Sequence, residues 1–386
     1  MDSSYQGILQ KMGNNFLVAA FVPAMGFVVC SLFIFQPIIP PDIAKYIGVA
    51  DFSNLEPSKL GAFTIITLLS TTLLGFTLYT LGTYIYKSFE GYTFFLGLET
   101  SFRRILINRQ KKRAKKIMLE REIVDKEINK LDKVVHDKKN KPENSWQKKR
   151  IERKKERLSD LKDRRYALIS YYDSNFPPSN YLLPTRFGNI LRAAEVYPHR
   201  YGIDAVTVWG RLAHSMPDAG MEKIDQANNQ CLFLLNCCIL TVLFSALSFL
   251  VAGYQALITL FSGAGLPDLL YFIPIDKPIL IYQQRVIIYI LLSVLAALLA
   301  RFFYEASLLN VGLYGSMVRS AFDLYRFGLF EALHLPLPEN SADEKVEWKK
   351  ISEFFTGTWY SKNPPEFEYQ HIVKQNNSSK DELPNQ

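Results

Sequence analysis

Arg186, Asn189, Arg192 and Glu195 recur at every third residue, and Arg200, Asp204 and Arg211 follow closely. At that spacing the first four drift slowly around one helix face, where Arg192 and Glu195 can pair. Ile190, Leu191 and Ala194 fall on the opposite, packing face. Two roles suit guanidinium groups set among carboxylates in this way. They can form a polar network that fixes a collar to its neighbours, or a pocket for an anionic metabolite or lipid headgroup. A catalytic reading is weaker, because no nucleophile stands beside a visible base.

Other chemistry is sparse. There is no phosphate-binding glycine loop, no dinucleotide fingerprint, no H-E-x-x-H and no G-x-S-x-G elbow. The histidines (His136, His199, His214, His334 and His371) are scattered at no ligand spacing. Cys30, Cys231, Cys237 and Cys238 lie in or beside apolar runs without a C-x-x-C pair, which argues against zinc and against a disulfide framework. We expect no enzyme, no cofactor and no metal.

Two further groups invite a functional reading. Thr67, Ser70 and Thr71, with Gly75 and Gly82 seven residues apart, share one apolar run. Small residues at that interval let helices approach closely, and a hydroxyl row can instead line a pore. Lys111, Lys112, Arg113, Lys115 and Lys116 form a basic patch, echoed by the run from Lys148 to Lys155. A solvated coiled-coil face, contact with anionic lipid and nucleic-acid binding compete for it. The lack of interleaved aromatic residues argues against nucleic acid.

The elements that position these residues follow from composition. The chain has 386 residues, 48% hydrophobic and 21% charged. Its near-zero mean hydropathy hides two populations, long apolar runs and one basic middle. Apolar runs at about 15–35, 60–86, 231–261 and 286–304 each reach the length that crosses a hydrocarbon core. The first is read as an uncleaved membrane helix, with Pro23 as a kink. Residues 87–230 hold 31 basic and 19 acidic residues, whereas loops 36–61 and 262–284 hold only Lys45, Lys59 and Lys277. The positive-inside rule places 87–230 and both termini in the cytoplasm. The cores of the runs carry no charge and show no inverted repeat, which argues against a coupled transporter.

The expected fold is mainly α: an integral membrane protein with four transmembrane helices and a large cytoplasmic helical insertion between helices 2 and 3. We divide the chain into a first helix pair (1–100), a basic hairpin (101–172), a collar (173–230), a second helix pair with an extension (231–335) and a tail (336–386). Within the hairpin, Ala114, Ile117, Val124, Ile128, Leu131 and Val135 form a thin seam, resumed by Ile151, Leu158, Leu161 and Leu168 after a turn at Lys139–Ser145. Thr185 should cap a helix through Val196, and 201–209 reads as extended. A helix opening at Pro217-Asp218 should run into the third span. Ser341 should cap a helix through Phe355, with Glu344 completing a capping box. The tail from Val373 reads as disordered, with its Asn376 sequon unglycosylated.

The stretch Leu183-Pro184-Thr185-Arg186-Phe187-Gly188-Asn189-Ile190-Leu191-Arg192-Ala193-Ala194-Glu195, with Tyr201-Gly202-Ile203-Asp204-Ala205-Val206 and Trp209-Gly210-Arg211-Leu212, resembles a segment of uncharacterised bacterial membrane proteins. Those proteins place it between two pairs of membrane helices. The resemblance implies a multi-pass protein of the bacterial inner membrane and brings no activity with it.

Four spans leave little room for a private conduction path. The leading expectation is therefore a subunit of a homo-oligomeric inner-membrane assembly, a channel or pore-forming effector of stress or phage defence, controlled by its helical domain. The alternative is a non-conducting scaffold that docks a soluble cytoplasmic partner or anionic lipid on the basic hairpin. Membrane lipids are expected partners in both.

Overall fold

The structure, a computed structural model, describes residues 15–36, 57–92, 101–137, 145–263, 279–357 and 365–370. Residues 37–56 and 264–278, residues 138–144 at the expected hairpin turn, and the tail from Val373 lie outside the described residues. Every regular element among the described residues is helical. A π-helical turn, Leu17–Phe21, leads into α1 (Val22–Phe35). There follow α2 (Pro57–Thr80), α3 (Gly82–Glu90), α4 (Ser101–Asp137) and α5 (Ser145–Asn175). Short 3-10 turns, Ser179–Tyr181 and Tyr197–Tyr201, bracket α6 (Arg186–Val196). Then come α7 (Ala205–Ser215), α8 (Asp218–Gly263), α9 (Ile279–Ala332) and α10 (Ser341–Phe355).

Among the described residues four helices are long and apolar enough to cross a membrane: Leu17–Phe35, Phe63–Thr80, Asp218–Leu260 and Gln284–Ala332. Helix α8 opens at Asp218, where an acidic residue suits the helix dipole. It then continues without a break into the third apolar run.

By compactness the chain forms two units, Met1–Ala193 with Ile224–Gly315, and Ala194–Lys223 with Ser316–Gln386. The division falls inside α6, not at an edge of 173–230. In the first unit a core gathers Ala20, Ala24, Leu78, Ile85, Phe187, Ile190, Leu235 and Val311 from six helices. The seam between α8 and α9 is made of small residues. Ser245 Oγ donates to the Ser293 carbonyl at 2.8 Å, and Ser293 Oγ returns the bond to the Ser245 carbonyl at 2.9 Å. Such reciprocal bonds need close backbones.

Helices α4 and α5 pack through Val124, Ile128 and Leu158, with Leu131, Leu161 and Leu168 around them. Arg165, which interrupts the apolar seam, reaches Asp125 at 3.5 Å, and Arg164 reaches Glu120 at 2.7 Å. Ala114 packs instead with Phe176 and Leu182.

In the second unit, residues 205–209 are helical, not extended. Asp204 sits at the N-cap position, and Ala205, Val208 and Leu212 give α7 a buried stripe of helical period. The β-branched residues Val206, Thr207 and Val208 suggested extension, but burial of that stripe outweighs their weak local preference. Helix α10 is capped by Asn340, not Ser341. Asn340 Oδ1 accepts from Ala342 N at 2.9 Å and Asp343 N at 3.0 Å, and its Nδ2 donates to Asp343 at 2.6 Å. Glu344 does not complete a capping box. It is buried instead and accepts from Arg326 Nε at 2.6 Å.

Candidate functional site

Helix α6 is set by its first turn. Thr185 Oγ1 accepts from Gly188 N at 2.9 Å, as an N-cap should, and donates to the Glu90 carbonyl at 3.1 Å. A Cβ on Gly188 would lie 2.3 Å from that same carbonyl. Glycine is therefore required for α6 to seat on the end of α3. Phe187 is fully buried there, with Tyr86 and Phe89 edge-on at 5.4 and 6.3 Å.

The seven polar residues of this region are divided between the two units. In the first unit, Arg186 Nη1 donates to both carboxylate oxygens of Glu305, at 2.8 and 2.6 Å. Glu305 also meets Arg301 at 3.4 Å. Asn189 is 1% exposed and saturated: Oδ1 accepts from Leu183 N, while Nδ2 donates to the Leu183 and Thr185 carbonyls. It clamps the 183–185 loop and faces the core, so the three-residue spacing does not make it a surface partner of Arg186. The Arg192 guanidinium lies 5.3 Å from the Tyr181 ring centroid.

The second unit holds the remainder. Glu195 is half-buried near the end of α6. Arg200 stacks 3.7 Å over Tyr197. Asp204 accepts from the Thr207 hydroxyl, and its N–H donates to Ser352 Oγ at 3.3 Å. Arg211 donates to the Thr207 carbonyl and stacks 3.8 Å over Phe355. Half-buried Asp323 accepts from Tyr201 at 2.6 Å and from Tyr197 at 3.0 Å. Burial, then the bond to Asp323, pushes the Tyr201 hydroxyl up to about 12, and the same causes raise Tyr197. No local pattern in the sequence marks Asp323, because its partners lie more than a hundred residues away. A cleft of ≈270 Å³, lined by His199, Asp204, Lys349, Ser352, Glu353 and Thr356, completes this unit's polar features. No three of His, Cys, Asp and Glu come together as a metal site among the described residues.

On α2, Thr71 is 1% exposed and Gly75 is buried. A Cβ on Gly75 would lie 3.2 Å from the Phe21 Cα, so the chain leading into α1 presses on this face. A Cβ on Gly82 would lie 3.8 Å from Leu232 Cδ2 of α8, an ordinary contact distance. Thr67 is half-buried and Ser70 exposed. Thr72, Thr77 and Thr80 face outward and donate to carbonyls of their own helix.

The base of α4 carries the strongest charge feature. Residues 101–119 hold eight Lys and Arg and no acid. Lys111, Lys112, Lys115 and Lys116 are exposed, and Arg113 is half-buried. Phe102, Ile105, Met118 and Leu119 are each about half exposed on the same stretch. Comparison with protein families, curated proteins and solved structures finds no match for the chain.

Proposed function

We propose that the chain is a non-enzymatic scaffold of the bacterial inner membrane, crossing it four times with both termini and the helical insertion in the cytoplasm. It seats the base of its α4–α5 hairpin on the anionic inner leaflet. One observation carries this reading: eight cations without an acid along 101–119, set among exposed Phe102, Ile105, Met118 and Leu119. Apolar side chains entering the headgroup layer, with lysines reaching lipid phosphates, is how basic amphipathic helices bind such surfaces. Each cation contributes about 1 kcal/mol near an anionic leaflet. Beyond Glu120 the charges of α4 mix and turn toward Arg164 and Arg165 of α5.

The test is amide exchange across 102–119 of the full chain in nanodiscs. Exchange should be slower in discs containing phosphatidylglycerol than in phosphatidylcholine alone. Replacing Lys111, Lys112, Lys115 and Lys116 by Gln should abolish the difference, as should high salt. Equal exchange of the unaltered chain in both lipids would overturn the proposal.

A channel built from several copies, acting in stress or phage defence, is the second reading. The exposed hydroxyls of Ser70, Thr77 and Thr80, on one side of α2, favour it. Thr71 and Gly75 do not, because their face is already covered within the chain. Single-channel currents that respond to modification of Ser70→Cys would establish this reading. Mass measurement that finds only monomer in detergent would remove it.

A further inference from the structure

A small crevice lies in the first unit where α4, α5 and α6 meet. Gln110 and Arg113 line it from α4, Tyr171 and Asn175 from α5, and Arg186 from α6. Its free space is ≈10 Å³, enough for about one water-sized group. The polar groups around it have capacity to spare. Arg113 is half-buried, and no ion pair or hydrogen bond within the described residues engages it. Arg186 holds Glu305 through Nη1, leaving its other N–H groups. Gln110 is 8% exposed, its Nε2 makes only a long bond of 3.4 Å to the Pro184 carbonyl, and its Oε1 has no donor. A buried acceptor without a donor is a cost that a suitable ligand removes.

These groups define a ligand. Two guanidiniums favour phosphate oxygens. Glu305 neutralises Arg186, so Arg113 supplies the uncompensated charge, which suits a singly charged phosphodiester better than a more highly charged monoester. Gln110 Oε1 requires a donor on the same molecule. An ammonium would be repelled by the two guanidiniums, whereas an alcohol would not. The level of the crevice is set by its neighbours. Thr185, the residue before Arg186, donates to the Glu90 carbonyl at the end of α3, and Glu305 directly follows the fourth apolar run. In the topology proposed above both lie at the inner headgroup layer.

We propose that this crevice is a headgroup site for a phosphoglycerol lipid. Phosphate oxygens accept from Arg113 and Arg186 at the mouth. A glycerol hydroxyl enters and donates to Gln110 Oε1, after a small turn of that side chain that gives up only the long bond to Pro184. The site rests on the membrane reading above and adds headgroup choice to it: the exposed lysines answer to charge alone, and the crevice answers to the hydroxyl.

Phosphatidylglycerol and phosphatidylmethanol carry the same charge, and only the first has headgroup hydroxyls. The full chain, in nanodiscs holding both lipids in equal amounts, is released for native mass spectrometry and its retained lipid counted. Phosphatidylglycerol should be retained about fivefold over phosphatidylmethanol, the shift expected from one hydrogen bond. Gln110→Leu should abolish the preference, and Gln110→Met serves the same test if the leucine chain does not fold. Arg113→Gln should lower retention of both lipids about tenfold. Replacing Lys111, Lys112, Lys115 and Lys116 by Gln should leave the preference intact. Equal retention of the two lipids by the native chain would overturn the site, while the amide-exchange contrast would still stand for the leaflet contact. A preference that survives the Gln110 replacement, or retention unchanged in Arg113→Gln, would overturn it as well. Displacement of the retained lipid by soluble glycerophosphoglycerol would show that a free ester, not a lipid, is the occupant.

Discussion

Arg186 and Glu305 stand 119 positions apart in sequence and form a two-oxygen ion pair, with Arg186 Nη1 2.8 and 2.6 Å from the carboxylate oxygens. The pair ties the start of α6 to the middle of α9. Each side chain is about one-third exposed, so water weakens the attraction. Glu305→Gln should lower stability by about 1 kcal/mol. Arg301→Ala should change little, because Arg301 is 75% exposed and meets Glu305 only at 3.4 Å. Thermal melts of the detergent-purified variants check this, and equal losses for the two would show that the Arg186 contact is not the stronger one.

Gly188 and Gly210 should respond to alanine in opposite ways. A Cβ at Gly188 would press 2.3 Å from the Glu90 carbonyl, whereas one at Gly210 would meet nothing within 4 Å. Gly188→Ala should cost roughly 3 kcal/mol or more, because backbone must move. Gly210→Ala should stabilise α7 by up to about 1 kcal/mol. Yield and melting temperature of the two variants read the contrast.

Asn189→Ala should be the most damaging truncation among the seven polar residues. It removes three hydrogen bonds and strands the Leu183 N–H and carbonyl, while the Thr185 carbonyl keeps the backbone N–H of residue 189 at 3.2 Å. Each orphaned buried group costs about 1–3 kcal/mol. Lys112→Ala, on an exposed turn of α4, should leave the melting temperature unchanged. A mild Asn189→Ala would mean that the 183–185 loop is held by something else.

The second unit should lose stability in alkali. Tyr201 binds its proton more tightly folded, at about 12, than in an unfolded chain near 10. The stability it contributes is complete below pH 10 and is lost as pH rises through 12. Tyr201→Phe should remove a component at about pH 12 from the tyrosinate absorbance titration and flatten the alkaline stability loss. An unchanged titration would show that Asp323 does not govern this hydroxyl.

Elements with local signals were legible in the sequence. The four apolar runs, the α4–α5 seam, the Thr185 cap and the unbroken α8 all rest on periodicity or on neighbours within one turn. What stayed hidden depends on distant pairing. The third-residue spacing gathered Arg186 and Asn189 on one face, yet Arg186 pairs with Glu305 and Asn189 faces the core. Buried Asn236, which donates to the Ala19 carbonyl at 2.7 Å, was hidden because a single amide barely disturbs a hydropathy average. The available clue was Pro23, which has no N–H to donate to the Ala19 carbonyl four residues earlier. Residues 205–209 misled because β-branched side chains suggest a strand, while the stripe that buries α7 spans two turns. Asn340 and Ser341 are both good caps, and only the geometry separates such neighbours.

The proposed scaffold depends on which side of the bilayer holds the hairpin. The most direct measurement is labelling with an impermeant thiol reagent of Trp146→Cys, an exposed position at the start of α5, and of Asn54→Cys, in a chain whose four native cysteines are replaced. In intact spheroplasts Asn54→Cys should label and Trp146→Cys should label only after lysis. Labelling of Trp146→Cys in intact spheroplasts, with none at Asn54→Cys, would place the basic hairpin outside and contradict the proposed topology.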